Sequence, residues 1–102
     1  MAERRMFAKS VVLEDRFMEL APMARCLYYT LNMEADDDGF VGAPKGIVKF
    51  CGAKLADLQR LVQAGYLRSY DDGVVRINHW LVNNQIRKDR YRPSVYAGPD
   101  RD

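Results

Sequence analysis

Two stretches of the sequence carry side chains whose chemistry suits contact with DNA. Residues 45–63 interleave lysine, glutamine and arginine with apolar residues, and residues 83–96 (NNQIRKDRYRPSVY) combine amides, cations and two tyrosines. Lysine and arginine neutralise phosphates, arginine and amides bond to base edges, and tyrosines stack on bases. With two arginines between these stretches, the candidate DNA contacts are Lys45, Lys49, Lys54, Gln59, Arg60, Gln63, Arg68, Arg76, Asn83, Asn84, Arg87, Lys88, Arg90, Tyr91 and Arg92.

The positive charge of the chain is concentrated in the second stretch. Residues 1–80 contain eleven basic and eleven acidic side chains, so the net charge of +2 comes from residues 81–102. Residues 85–96 contain four basic side chains and one acidic one, a local charge of +3. A basic arm of this kind favours contact with phosphates. Two alternatives stay open: a solvated tail over the domain's own surface, or a tyrosine-rich arm that packs on a neighbouring subunit.

The acidic residues in the middle of the chain do not fit a calcium loop. Such a loop needs ligands at alternate positions and a bidentate carboxylate at the twelfth. Here Asp36, Asp37 and Asp38 are consecutive, and Ile47 would occupy the twelfth position. We expect instead a turn whose carboxylates cap backbone amides.

No catalytic constellation is visible in the sequence. His79 is the single histidine, so it can complete neither a zinc site nor a recognisable triad, and its place beside Trp80 favours packing. Gly42 and Gly46 lack the rest of a phosphate-binding loop. We therefore predict neither an enzyme nor a cofactor.

Length and composition are those of one compact domain. The chain has 102 residues, of which 48% are hydrophobic and 29% are charged. No apolar run approaches the roughly 20 residues of a membrane helix, and the N-terminus lacks the apolar core of a signal peptide. The unpaired Cys26 and Cys51 predict buried free thiols in a reducing cytoplasm.

The first half of the chain predicts one well-defined helix. Residues 6–13 are apolar and partly β-branched, which predicts a short strand or an extended arm, and Asp15 can cap a short turn after it. Pro22 suits the first position of an amphipathic helix that ends before the turn at residues 36–39. The apolar face of this helix comprises Ala24, Leu27, Tyr28 and Leu31.

A helix-turn-helix is predicted next. Pro44 restarts a helix that Gly52 closes, and a second helix follows after about three residues and ends at Gly65. We expect the first helix to bury Ile47, Val48 and Phe50. We expect the second to bury Leu55, Leu58, Leu61 and Val62.

The periodicity then changes from helical to strand-like. Residues 66–70 and 74–80 are β-prone and flank Asp-Asp-Gly at residues 71–73, a pattern typical of a hairpin, and residues 40–41 can form a minimal strand. Helix, short strand, helix, helix and hairpin is the order of a winged helix, an α+β fold of three helices on a small antiparallel sheet. We place this domain at residues 1–92 and a flexible tail or the start of a linker at residues 93–102.

In this arrangement residues 54–63 would enter a DNA major groove. Arg60 and the two glutamines can read base edges, whereas Asp57 would oppose phosphate, so the surface is only weakly cationic. A plain solvated helix face is the alternative. Lys45 and Lys49 share one face of the preceding helix, and Arg68 and Arg76 would flank the groove from the wing.

Three segments of the chain resemble one family. They are MFAKSVVLEDRFMEL, ARCLYYTLNMEADDDGFVGAPKGIVKFCGA and GVVRINHWLVNNQIRKDRYRPSVY, and their most specific parts are EADDDGF and HW…NN.IRKDRY.P..Y. Over roughly residues 4–96 the sequence resembles the N-terminal domain of phage replisome organisers. These are replication initiation proteins of phages and prophages in Gram-positive bacteria, related in architecture to DnaD-type primosomal proteins.

The resemblance implies a winged-helix domain that binds the phage replication origin and helps recruit the helicase or its loader in the bacterial cytoplasm. A further C-terminal domain is usual in such proteins. Two other functions stay open. One is a protein-interaction module, in which the N-terminal strand and the tyrosine arm form a homo-oligomer or dock a helicase loader. The other is a phage winged-helix transcription regulator.

Overall fold

The computed structural model describes residues 4–84 and 91–97. Six helices and a three-stranded antiparallel sheet form one compact α+β fold over these residues. In chain order the elements are α1 (Lys9–Val12), α2 (Asp15–Met18), α3 (Pro22–Glu34), β1 (Phe40–Val41), α4 (Pro44–Cys51), α5 (Leu55–Gln63), β2 (Leu67–Ser69), β3 (Val75–Ile77) and α6 (Trp80–Asn83).

Helix α3 forms the centre of the fold and begins where Pro22 predicts. Its buried face carries the four predicted apolar residues, and both α4 and α5 pack against it. The rings of Phe17, Tyr28 and Tyr66 meet edge to face beside it, with centroids 5.1–5.7 Å apart. Such contacts stabilise a core beyond the area that they bury.

The helix-turn-helix lies at the predicted residues. Pro44 occupies the first turn of α4, and Gly52 closes it in the left-handed conformation at φ 78°, which glycine adopts without strain. The prediction that Phe50 is buried is wrong, since 80% of it is exposed. Val48 faces the core, and two residues separate about 200° around a helix, so Phe50 faces outward. Leu55, in the first turn of α5, is also exposed.

The sheet has the strand order β1-β3-β2, with Phe40 opposite Arg76 and Leu67 opposite Ile77. The hairpin is thus confirmed, but β3 ends at Ile77 and Trp80 begins α6 instead of continuing the strand. The indole Nε1 of Trp80 donates a 2.8 Å hydrogen bond to the carbonyl of Asp37, which holds the ring beneath the acidic turn.

The expected extended arm is present only before Lys9: residues 4–8 form neither helix nor strand, and the backbone of Ala8 is extended. Residues 9–12 form the short helix α1 instead of a strand, with Val11 buried, and α1 makes no strand pairing. Val11 lies in the core, and Phe7 and Val12 pack against it. Asp15 is the first residue of α2 and Glu14 takes the N-cap position, one residue before our prediction.

The prediction of buried thiols is also wrong. Cys26 lies on the exposed side of α3 and Cys51 is half-buried at the end of α4, and neither forms a disulfide. Among the described residues, no helix is both long enough and apolar enough to cross a membrane.

Candidate nucleic-acid interface

Six of the candidate DNA contacts lie exposed on the helix-turn-helix. Two project from α4, and four come from the start and the outer face of α5. Because each residue is exposed, the charged and amide groups are open to a ligand. The six are Lys45, Lys49, Lys54, Gln59, Arg60 and Gln63.

Asp57 has a structural role at the start of α5. Its carboxylate reaches back to the start of α5 and accepts a 2.9 Å hydrogen bond from the backbone N–H of Lys54. This contact closes the first turn of the helix and places a negative charge at its N-terminus, where the helix dipole favours it. Asp57 is half-buried, and its carboxylate is bound by the backbone of its own helix.

A groove separates α5 from the hairpin. It has a volume of about 250 Å³ and is lined by Leu58, Gln59, Val62, Gln63, Ser69 and Val75. Ser69 and Val75 are opposite each other in the β2–β3 ladder, so the sheet forms one wall of the groove and α5 forms the other. The lining is apolar at the base and carries neutral polar groups at the rim.

The two arginines of the hairpin lie on the other side of the sheet. Arg68 and Arg76 are direct cross-strand partners. Side chains alternate along a strand, so they face away from Val75 and Ile77, which are buried in the core. The guanidinium of Arg76 lies 4.7 Å from the Phe40 ring centroid, and its Nε donates to the carbonyl of Asp38 at 3.2 Å. Arg68 lies over the ring of Tyr70. These arginines therefore do not line the groove beside α5.

Asn83 and Asn84 lie in the interior, where they join α6 to the N-terminal segment. The carbonyl oxygen of Asn83 accepts a hydrogen bond from the N–H of Ala8 at 2.9 Å, and its amide donates to the hydroxyl of Tyr28 at 2.8 Å. Asn84 accepts from the N–H of Met6 at 2.9 Å. Both residues are buried and their amides are engaged within the fold. We therefore no longer place them among the candidate DNA contacts.

Residues 91–97, here called the C-terminal strap, lie against residues 36–38, the aspartate turn. The hydroxyl of Tyr91 donates to Asp38 at 2.6 Å, and the N–H groups of Arg92 and Ser94 donate to Asp37 and Asp38 at 3.0 and 2.8 Å. The hydroxyl of Ser94 donates to Asp36. Alternate backbone amides of an extended segment are thus bound by successive carboxylates.

The aspartate turn also performs the capping role that the sequence predicts. Oδ1 of Asp36 accepts hydrogen bonds from the backbone N–H groups of Asp38 and Phe40, both at 3.0 Å. The turn therefore stabilises its own backbone and holds the strap at the same time. Tyr91 uses its hydroxyl within the chain, although its ring is 41% exposed, and the side chain of Arg92 is exposed.

Arg5 makes buried contacts within the fold that the sequence did not predict. Its guanidinium donates to the carbonyl of Ala35 at 2.6 Å and to Asp37 at 3.4 Å, and lies 5.0 Å from the Trp80 ring centroid. It thereby binds a carbonyl at the C-terminal end of α3, where the negative end of the helix dipole attracts a cation. In the sequence, Arg5 sits beside Arg4 in a polar N-terminus, and no local pattern distinguishes the two.

His79 is half-buried and its ring lies 5.4 Å from that of Tyr66, as packing predicts. Its Nδ1 is buried and has no hydrogen-bond partner among the described residues. Within the same residues, His, Cys, Asp and Glu side chains do not form a group that could hold a metal ion.

Three tyrosine hydroxyls have a raised pKa. Burial is the main cause for Tyr28 and Tyr66, and the hydrogen bond from Tyr66 to Glu14 raises the pKa of Tyr66 further. For Tyr91 the main cause is the hydrogen bond to the Asp38 carboxylate, which favours the protonated phenol.

The other candidate contacts of the basic arm, Arg87, Lys88 and Arg90, lie outside the described residues. Comparison of the chain with protein-family models, curated proteins and solved structures found no match.

Proposed function

We propose that this chain is the winged-helix DNA-binding domain of a phage or prophage replication initiator. The observation that carries the proposal is the set of six exposed basic and amide side chains on α4 and α5. They combine groups for phosphates with groups for base edges on one helix-turn-helix. A cofactor has no part in this function.

The order of the elements supports the winged-helix assignment. Helix α3, strand β1, helices α4 and α5 and the β2–β3 hairpin follow one another, and β1 pairs with β3 at Val75 and Arg76. In this assignment α5 is the recognition helix and the hairpin is the wing. The short helices α1, α2 and α6 are additions to the basic pattern.

The proposed contacts differ in what they recognise. Lys45, Lys49 and Lys54 bind phosphates, which gives affinity without sequence preference. Arg60 and the neighbouring glutamines contact base edges in the major groove. Arg68 and Arg76, on the far face of the wing, contact the backbone of a DNA segment only if it passes on that side.

The role in replication rests on the sequence resemblance. Like the replisome organisers that it resembles, the protein would bind origin duplex in the cytoplasm of a bacterial host and help recruit the helicase or its loader. The basic residues that precede the strap, Arg87, Lys88 and Arg90, would add phosphate contacts.

The test is a titration of the protein with origin duplex at two salt concentrations. We expect binding at low salt that weakens steeply as salt increases, because each phosphate contact releases counterions. Replacement of both Lys45 and Lys49 by alanine should weaken binding to every sequence and lower the salt slope by about 2. Arg60→Ala should reduce the preference for origin over random duplex.

Lys9→Ala is the matched control, because Lys9 is an exposed lysine of α1, outside the helix-turn-helix. It should leave affinity and salt slope almost unchanged. Absence of binding at low salt would refute the proposal, and so would equal losses for Lys9→Ala and Lys45→Ala.

A homo-oligomerisation module is the second candidate, favoured by the outer face of α3. Met23, Cys26, Tyr29 and Met33 recur there at helical spacing and are exposed. Contiguous exposed apolar side chains are typical of interaction surfaces. Tyr91 supports this candidate less than we expected, since its hydroxyl binds Asp38 of its own chain. Sedimentation of the wild type and of Met33→Lys would test it: a stable oligomer that the substitution dissociates is the expected result.

A further inference from the structure

The groove between α5 and the hairpin differs in character from the cationic surface around it. Its lining includes three apolar side chains, Leu58, Val62 and Val75, and the other three lining residues carry two amides and a hydroxyl. None of the six is ionisable. A ligand that fits must therefore offer a neutral, partly apolar group to the groove.

The order of side chains around α5 gives the direction in which such a ligand would lie. At about 100° per residue, Leu58 and Val62 follow the buried Leu61, then come Gln59 and Gln63, and Arg60 lies beyond them. The helix surface thus passes from apolar, through neutral hydrogen-bonding, to cationic. In the major groove, an apolar side chain suits a thymine methyl group, a glutamine suits adenine and an arginine suits guanine.

We propose that this groove receives the 5-methyl group of a thymine in duplex DNA. The inference rests on the proposed function and names the base that α5 recognises. The methyl group lies against Leu58 and Val62, with Val75 at the base of the groove. Gln59 or Gln63 bonds to the adenine edge of the same or the neighbouring pair, since a glutamine amide matches adenine N6 and N7. Arg60, farther round the helix, remains the contact to a neighbouring base edge.

The lack of ionisable lining residues favours a base over a charged occupant. A phosphate would have to enter a groove without a cationic lining residue, and an acidic peptide would meet the same cost. A basic peptide would find no carboxylate among the lining residues. An apolar methyl beside hydrogen-bonding edges matches both the base of the groove and its rim.

The experiment compares two duplexes that differ only in the methyl group: alternating dA–dT, and alternating dA–dU of the same length. We expect the wild type to bind the thymine duplex about fourfold more tightly, the effect of burying one methyl group. An alternating dG–dC duplex of the same length measures the affinity that comes from contacts to the DNA phosphates without thymine or adenine.

Val62→Asn replaces both methyl groups by a polar amide of similar size, so the preference for thymine over uracil should decrease clearly. Val82→Asn is the matched control, because Val82 is an exposed valine of α6 that does not line the groove. It should keep the wild-type preference. Thermal unfolding of both variants confirms that they are folded.

The outcomes separate this inference from the proposed function. Salt-dependent binding of both duplexes with equal affinity would overturn the thymine site and leave the DNA-binding function standing. A thymine preference that is undiminished in Val62→Asn would place the methyl group elsewhere and overturn the thymine site too. Absence of binding to all three duplexes at low salt would refute the proposed function itself.

Discussion

The guanidinium of Arg5 lies 3.4 Å from the carboxylate of Asp37, and only 1% and 0% of the two side chains are exposed. This pair ties the N-terminal segment to the aspartate turn across 32 residues of sequence. Because Asp37 also accepts the N–H of Arg92, the carboxylate joins both ends of the described chain to one turn. The N-terminal segment and the strap are thus held by the same buried carboxylate.

Arg5→Leu should destabilise the fold by about 3–5 kcal/mol, because it leaves a buried carboxylate without its cation. Urea unfolding followed by far-ultraviolet circular dichroism measures this change. Arg16→Leu is the control: its pair with Glu14 has side chains that are 60% and 35% exposed, so the loss should be below about 1 kcal/mol. Equal losses in the two variants would contradict the assigned role of burial.

Asp38→Ala should loosen the C-terminal strap and leave the core intact. The substitution removes the acceptor for the hydroxyl of Tyr91 and the N–H of Ser94, and each such contact contributes about 1 kcal/mol. Amide hydrogen exchange at Ser94 should therefore accelerate roughly tenfold or more, with little change at the amides of α3. Asp71→Ala, at an exposed aspartate of the hairpin turn, should not change exchange in the strap.

Asn83→Ala should reduce stability by about 2–3 kcal/mol, because the N–H of Ala8 and the hydroxyl of Tyr28 lose their partner in the interior. DNA affinity of the folded protein should stay unchanged, since the side chain is buried. Asn78→Ala is the control, because Asn78 is exposed and its amide makes a single 2.9 Å bond to the Gly65 carbonyl. A loss of DNA affinity in folded Asn83→Ala would return this residue to the interface.

Stability should decrease as pH rises above about 10, the ordinary pKa of tyrosine. Folding raises the pKa of Tyr28 and Tyr66, so the folded state retains protons that the unfolded chain has lost. The stabilisation is fully present below the unfolded pKa and disappears as pH passes the folded one. In urea titrations at several pH values, Tyr66→Phe should show a smaller alkaline decrease than wild type. An identical pH dependence would contradict the raised pKa of Tyr66.

Much of the fold follows from local sequence. Pro22 and Pro44 begin helices because proline has no N–H to lose in the first turn, and Gly52 ends α4 because glycine tolerates positive φ. The β-prone runs around Asp-Asp-Gly predict the hairpin for the same local reason. Exposure of Lys45, Lys49 and Arg60 follows from helical periodicity, so the polar part of the helix-turn-helix surface could be predicted.

Predictions from composition were less successful where an apolar pattern was short. Residues 6–13 suit a strand by their β-branched content, yet α1 forms because Val11 and its neighbours reach the core with helical spacing. Phe50 is apolar but lies on the outer side of a two-turn helix. In such short segments tertiary packing outweighs intrinsic propensity.

The sequence by itself determined where α3, α4 and α5 begin and end, the hairpin, and the exposed basic and amide groups of α4 and α5, because these depend on residues a few positions apart. Only the tertiary structure decided that Asn83 and Asn84 are interior, that Arg5 is buried against Asp37, and that the strap lies on the aspartate turn. These contacts join residues 32 to 78 positions apart. Amide, carboxylate and guanidinium groups can bond equally well to water, DNA or protein, so their partners are fixed only when the folded chain excludes water from them.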